Sequence, residues 1–291
     1  MGDYSFITLT EKGACNLLPR RSELSHKGSF GTLLAVCGCE NFIGAASLCI
    51  ESALKSGVGI ACLASVKPAV AACAVRCPEA TFMPFDADID GHIPFAAAEK
   101  IIRRSETASA MLIGCGVGRS DDTSELVKKL IKATNIPKVI DADGLNAVNG
   151  QPQLLKNCMI TPHAGEMARL CGCEISEIKA DPAKAALDFA QKYNCVVVLK
   201  DADTVVASPD GRLFLNVGRN SGLARGGSGD VLAGITASLL AQGMKPFECA
   251  IAAVTLHSLA AKRCAADCSQ RGMLPHEICD SLRDIFRENG L

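Results

Sequence analysis

Short apolar runs rich in Val, Ile and Leu alternate along the chain with longer amphipathic or alanine-rich stretches, the pattern of a mostly parallel sheet covered by helices. The runs predict strands at Thr32–Cys37, Val58–Ala64, Ala110–Ile113, Lys138–Ile140, Met159–Thr161 and Val196–Leu199. Between them, Ala45–Ser56, Ser120–Ala133 and Pro182–Tyr193 predict helices; the second opens on a capping Ser120 followed by acids, the third on the pair Asp181-Pro182. Then the pattern changes. Thr204–Ser208 and Arg212–Val217 flank the turn Pro209-Asp210-Gly211, which predicts a hairpin that adds an antiparallel edge to the sheet. The glycine-rich stretch Asn220–Gly229 follows, then helices near Asp230–Gln242, Pro246–Ala266 and Leu274–Arg287. No linker-like tract or repeat interrupts this order, so residues 1–291 are expected to form one α/β domain.

Composition narrows the function classes. With 48% apolar and 21% charged residues the chain is not disordered, and 30 Lys+Arg against 31 Asp+Glu leave no basic excess to bind nucleic acid. No apolar run reaches the roughly eighteen residues of a membrane span. The N-terminal stretch from Met1 to Cys15 lacks the basic-then-apolar order of a signal peptide, and Phe6 breaks the myristoylation pattern that begins at Gly2. A soluble, cytoplasmic protein without a membrane partner is expected. None of the 16 cysteines stands in a CxxC pair. The CxC pairs Cys37/Cys39 and Cys171/Cys173, and the helically spaced Cys73/Cys77 and Cys264/Cys268, have no adjoining His in a zinc-like arrangement. They are expected to be small buried hydrophobes in a reducing compartment.

The segment from Asn220 to Gly234 carries the most chemistry. Glycines at 222, 226, 227 and 229 directly before an apolar helical pattern place unobstructed backbone N–H groups at a helix N-terminus, which is an anion cradle. Asp230 falls at the first helical turn. An ionised carboxylate beside such a cradle can take a proton from a hydroxyl while the amides hold a transferring phosphoryl group. A β-branched residue at Gly229 would disfavour any φ > 0 geometry there and block approach to the amides. The competing reading is a glycine-rich turn with Asp230 as a plain helix cap.

Gly-Gly-Ser-Gly-Asp opening a C-terminal helix resembles the anion-hole and catalytic-base motif of ribokinase-like enzymes. GK occurs nowhere in the chain, so a Walker A loop is absent, and GxGxxG is absent too. Further segments choose within that fold. His26–Gly31, Gly44-Ala45-Ala46 and Ser56–Gly59 resemble the N-terminal hKGxxG, GAA and sGxG stretches of the NAD(P)H-hydrate dehydratase family. Gly114–Gly118 is similar to its GPGLG loop, with Cys115 for Pro; Asp141–Asn146 to DADALN, with Gly144 for Ala; and Thr161–Glu166 to TPHPGE, with Ala164 for Pro. Lys200–Thr204 corresponds to KGxxT with Asp201 for Gly, and Asn220–Gly234 to NxxGxAxGGTGDVLAG with Ser228 for Thr. The ordered set covers residues 9 to 265.

This resemblance implies a three-layer ribokinase-like fold and a repair lyase. Such an enzyme dehydrates (S)-NADH or (S)-NADPH hydrate to NADH or NADPH at the expense of ADP, or of ATP, through a phosphorylated hydrate. Phosphorylation converts hydroxide, a poor leaving group, into phosphate. By resemblance Asp230 is the base, and Gly227, Ser228 and Gly229 form the anion hole. Lys200, Asp201, Ala202, Asp203, Thr204 and Gly229 bind the nucleotide, while Ala45, Gly116, Gly118, Asn146, His163 and Asp230 line the hydrate pocket. Mg2+ is the implied cofactor, with Asp141 and Glu166 as candidate ligands. Structural alternatives stay open. Gly114–Gly118 could be only a tight turn; Asp141 or Asp143 could merely cap the next helix; Glu166, near the start of a helix, could be favoured by the helix dipole and nothing more; His163 could be a satisfied turn residue. Arg225 could be solvated, and His257 reads as a satisfied packing histidine. A homotetramer is implied, and the stretch before residue 30 is too short for the epimerase often fused to such domains, so a separate epimerase is expected. A ribokinase-like kinase for a vitamin precursor or sugar is the rival enzyme; a nucleotide-binding regulator without turnover is the rival class.

Overall fold

The computed structural model describes residues 4–291; Gly2, and with it the start of the N-terminal stretch, lies outside the described residues. The strands are β1 (Phe6–Ile7), β2 (Thr32–Val36), β3 (Ile60–Val66), β4 (Thr81–Phe85), β5 (Ala110–Ile113), β6 (Lys138–Ile140), β7 (Met159–Ile160), β8 (Val196–Leu199), β9 (Asp203–Ala207) and β10 (Leu213–Val217). They form one sheet in the order β1-β10-β9-β8-β7-β6-β5-β2-β3-β4. Every pairing from β8 across to β4 is parallel, and β9 is antiparallel to both of its neighbours, so the expected hairpin stands at this end with β1 outside it.

Why these runs become parallel strands is visible in their burial. All residues of β5, β6 and β8, and all but the first of β2 and β3, are buried, as a strand covered on both faces requires. The helices are α1 (Glu11–Leu17), α2 (Ile43–Lys55), α3 (Lys67–Arg76), α4 (Ala98–Ser105), α5 (Asp121–Ala133), α6 (Asp143–Ala147), α7 (Ala164–Cys171), α8 (Ile175–Ala180), α9 (Pro182–Tyr193), α10 (Ser228–Ala241), α11 (Pro246–Gly272, interrupted at Ser269 by a left-handed φ of 69°) and α12 (Pro275–Glu288). One helical group comprises α1–α3 and α10–α12, the other α4–α9; β8 and β9 carry α11 from the first and α9 from the second. Three layers result.

Helix α10 runs through the middle of the first group and is buried on nearly all sides. Its close approach to α2 requires a glycine: a Cβ on Gly234 would stand 2.0 Å from Ser52 Oγ and 2.4 Å from the Cys49 carbonyl oxygen. The sequence expectation began this helix at Asp230, whereas it begins at Ser228, which sets Asp230 inside the first turn. No helix among the described residues is long and apolar enough to cross a membrane.

Candidate active site

The C-terminal ends of β2, β5, β6, β7 and β8 open on one edge of the sheet. At β2 the chain order reverses, with β3 and β4 to one side and β5 to β8 to the other. Connections leaving such a switch point diverge and leave a crevice above the strand ends. The loops around it are Cys37–Cys39, Gly114–Gly118, Asp141-Ala142, Thr161–His163 and Lys200–Ala202, and the N-terminus of α10 faces them.

The glycine-rich segment turns into α10 through Gly227, whose φ of 100° a side chain would resist and whose added Cβ would meet Leu48 Cδ1 at 2.7 Å. Gly229 is different from the expectation: it lies in the helix with no positive φ, and a Cβ there would point at Lys200 Nζ (3.4 Å) and Asp141 Oδ2 (4.0 Å). Its glycine keeps the crevice open rather than the backbone unstrained. The Ser228 N–H donates to the Arg225 carbonyl at 3.3 Å. Among the described residues the N–H groups of Gly227, Gly229 and Asp230 donate to no protein acceptor, so the free donors differ from the expected Gly227–Ser228–Gly229 set by one residue. Burial pushes the Asp230 carboxyl up to about 7; the nearby Asp141 and Cys37 raise it, and the Cys115 thiol and Lys200 offset them in part. A carboxyl so placed is poised to exchange a proton near neutral pH.

Opposite, Lys200 Nζ pairs with Asp141 Oδ1 at 2.7 Å. Burial pulls the Lys200 ammonium down, but Asp141 and Glu166 outweigh it and hold it above its ordinary value, hence charged. The Lys200 N–H donates to the Pro162 carbonyl at 2.8 Å, and a bridge pairs Lys200 with His163, so the strand ends are stitched together directly beneath the crevice. His163 caps α7: its Nδ1 accepts from the Gly165 N–H at 3.0 Å, and Glu166 Oε2 accepts from the His163 N–H at 2.8 Å. The Glu166 side chain takes part in this capping box, a role beyond the dipole-favoured helix-start position read from the sequence.

On the switch-point side, Ala45 and Gly116 meet: a Cβ on Gly116 would stand 2.8 Å from the Ala45 Cβ. A Cβ on Gly118 would strike the His92 ring at 2.2 Å, and the Gly118 N–H donates to Asp143 Oδ2 at 3.2 Å. Asp143 also accepts from Arg119 (2.7 Å) and Asn146 (3.3 Å), and Asn146 accepts from Arg169 (3.1 Å). His92, which no motif contains, is thus a wall residue that only the fold reveals.

A cleft of about 660 Å³ adjoins α10 and is lined by Lys200, Asp201, Ala202, Thr204, Ser228 and Gly229 together with Asn216, Arg219, Asn220 and His257. Asp203 does not line it; Arg219 holds its carboxylate at 2.6 Å. The packing reading of His257 is half right. The residue is buried, and burial pulls its imidazole down to about 4, but Nε2 has no hydrogen-bond partner, nor do the Ser228 and Thr161 hydroxyls. Three orphaned polar atoms around one crevice are what a polar ligand would satisfy. For Mg2+, a hard ion held by one or two carboxylates plus phosphate oxygens, Asp141 fits because its Oδ2 faces the Gly229 side of the cradle; Glu166, the other candidate, gives its Oε2 to the cap.

A parallel sheet with its ligand crevice at the strand ends, a helix N-terminus for an anion and a titratable carboxyl beside it define a ribokinase-like phosphoryl-transfer fold. A ribokinase-like superfamily protein from Enterococcus faecalis superposes with a TM-score of 0.86 at 25% identity, covering 99% of each chain. The NAD(P)H-hydrate dehydratase family model matches residues 33–284, and the chain belongs to that family. It is 32% identical over 96% of its length to the ADP-dependent (S)-NAD(P)H-hydrate dehydratase of Bacillus subtilis, covering 97% of that protein. A crystal structure of an ADP/ATP-dependent NAD(P)H-hydrate dehydratase from Bacillus subtilis, grown with ATP and Mg2+, matches with a TM-score of 0.82 and 28% identity over 96% of this chain and 97% of that one. The chain is also 37% identical, over 93% of its length, to a bifunctional NAD(P)H-hydrate repair enzyme of Thermofilum pendens. It spans about half the length of the bifunctional relatives it matches.

Proposed function

We propose that the chain dehydrates (S)-NADH and (S)-NADPH hydrates, with ADP or ATP as phosphoryl donor. The observation that carries this is Asp230: a carboxyl at about 7, in the first turn of α10, beside free N–H donors and across from the charged Lys200. Asp230 takes the proton of the ring hydroxyl as that oxygen attacks the terminal phosphoryl group. The Gly227, Gly229 and Asp230 amides and the helix dipole stabilise the charge on the transferring oxygens. Phosphate then leaves from the ring carbon with the electron pair of its C–O bond, and a proton is lost from the adjacent ring carbon, whose C–H pair forms the double bond of the dihydronicotinamide. The cleft beside Lys200–Thr204 takes the nucleotide, with Arg219 rather than Asp203 facing it, and the Ala45, Gly116, Gly118 and His163 side takes the hydrate. Mg2+, held by Asp141 and the phosphate oxygens, supplies charge neutralisation when bound.

Sixteen free cysteines suit a reducing cytoplasm, and a homotetramer of one-domain subunits is the assembly we expect. Light scattering checks the latter; a 30.4 kDa monomer at micromolar concentration overturns it. A separate epimerase protein for the other hydrate stereoisomer is the further partner we propose. The reaction is tested by incubating the protein with NADH hydrate and ADP, ATP or neither, while following reduced-nicotinamide absorbance and phosphate release. Nucleotide-dependent recovery of NADH is expected; none with either nucleotide overturns the reading.

A further inference from the structure

Beneath Asp230 lies a cluster the proposed reaction does not use. Cys37 follows β2, Cys49 sits midway along α2, and Cys115 lies in the loop after β5, so the switch point of the sheet brings together three thiols far apart in sequence. All three are fully buried and free, and their sulfurs lie within 4.8 Å of one another. A fourth ligand atom adjoins one of them: Cys115 Sγ is 3.7 Å from Asp141 Oδ2. A tetrahedral zinc ion with Zn–S of about 2.3 Å and Zn–O of about 2.0 Å sets sulfurs about 3.8 Å apart and sulfur and oxygen about 3.5 Å apart. The sulfurs therefore need to close by no more than about 1 Å, while the Asp141 carboxylate, in range of Cys115 alone, has to swing towards Cys37 and Cys49 to complete the set.

We propose that Cys37, Cys49, Cys115 and Asp141 form a site for a thiophilic divalent cation, Zn2+ or its analogue Cd2+, and that occupying it shuts off the crevice above. Binding forms three metal–thiolate bonds and one metal–carboxylate bond. The three thiol protons leave to solvent, and no electron is transferred. Four anionic ligands around a divalent ion leave two negative charges, which the Lys200 ammonium balances in part. The soft donor set excludes Mg2+. Inhibition follows from position: the ion draws Asp141 from the crevice, and Cys49 Sγ already touches the Asp230 carbonyl oxygen at 3.5 Å. The binding site stands apart from the dehydratase reading; only its effect on turnover rests on that reading.

A second thiol group, Cys264, Cys268 and Glu277, lies partly exposed on α11 and α12 and must be separated in the test. The full-length protein, reduced with a phosphine, is titrated with Cd2+ and followed by its ultraviolet thiolate-to-metal absorption. Cys49→Ala should lose one equivalent that Cys268→Ala retains. Should Cys49→Ala not melt cooperatively, Cys49→Ser replaces it. Zinc X-ray absorption on Cys268→Ala should show three sulfurs at about 2.3 Å and one lighter ligand. Equal Cd2+ stoichiometry in the two variants, or fewer than three sulfurs, overturns the site. Zn2+ should slow NADH recovery by Cys268→Ala at least about tenfold and leave Cys49→Ala within about twofold; equal inhibition of both overturns the switch and leaves the binding result to be judged on stoichiometry alone.

Discussion

Asp230 holds function and stability in opposition. Its folded-state pKa of about 7 lies above the ordinary 3.8, so the folded protein keeps a proton that the unfolded chain releases. Stability from this group is full at acid pH and is lost as pH rises towards 7. Asp230→Asn removes that loss, so its stability advantage over wild type should grow by about 1–2 kcal/mol between about pH 4 and about pH 8, after allowance for partial exposure. Urea unfolding at the two pH values measures it. The same change should lower turnover by about 10²–10⁴ while nucleotide still binds. If Asp230 were only a helix cap, Asn would serve as well, and turnover within a few-fold of wild type would end its assignment as base. In wild type, kcat/KM should rise with pH through about 7. His257, pulled down to about 4, stays neutral throughout and contributes no second inflection in that range.

Between elements, the Lys200–Asp141 pair ties the end of β8 to the end of β6. Lys200→Met should cost about 3 kcal/mol, since it leaves the Asp141 carboxylate buried without its cation. Adding Asp141→Asn should recover much of that stability without recovering nucleotide affinity; denaturant midpoints and equilibrium binding separate the two effects, and an additive double mutant would mean the pair is not coupled. The strands that carry this pair were legible in the sequence because burial on both faces writes them as unbroken Val/Ile/Leu runs. β4 was not, because Pro84 breaks its pattern, a residue tolerated there only because β4 is an edge strand. The short helix α7 was legible only as a helix start near Glu166; its cap was not, because His163 is a residue type that sequence rules do not count as a cap. In the site, glycine spacing and Asp230 were legible as local chemistry. That Gly227 and not Gly229 takes the left-handed turn, that the Ser228 N–H is spent, that Asp203 turns to Arg219 and that His92 walls Gly118 all depend on contacts between distant segments.

For the whole molecule, α10 makes the crevice and the core one structure: its first turn presents the free amides, and the rest of it is buried against α2, α11 and the sheet. Ligand held at that N-terminus therefore adds to the stability of the folded chain and not merely of a loop. A nucleotide at about 100 times its Kd stabilises the folded state by about 2.7 kcal/mol. For a chain of this size each kcal/mol raises Tm by about 2–3 °C, so ADP should raise it by about 5–8 °C. Asp230→Asn should keep that shift, because it leaves the backbone donors in place. Gly229→Ala should fold, since its added Cβ meets nothing closer than Lys200 Nζ at 3.4 Å, yet it should lose most of the shift because the methyl stands between Lys200 and the free N–H groups. A thermal scan of the three proteins with and without ADP distinguishes a built anion site from a glycine-rich helix start, which would leave Tm unmoved by ADP in every one of them.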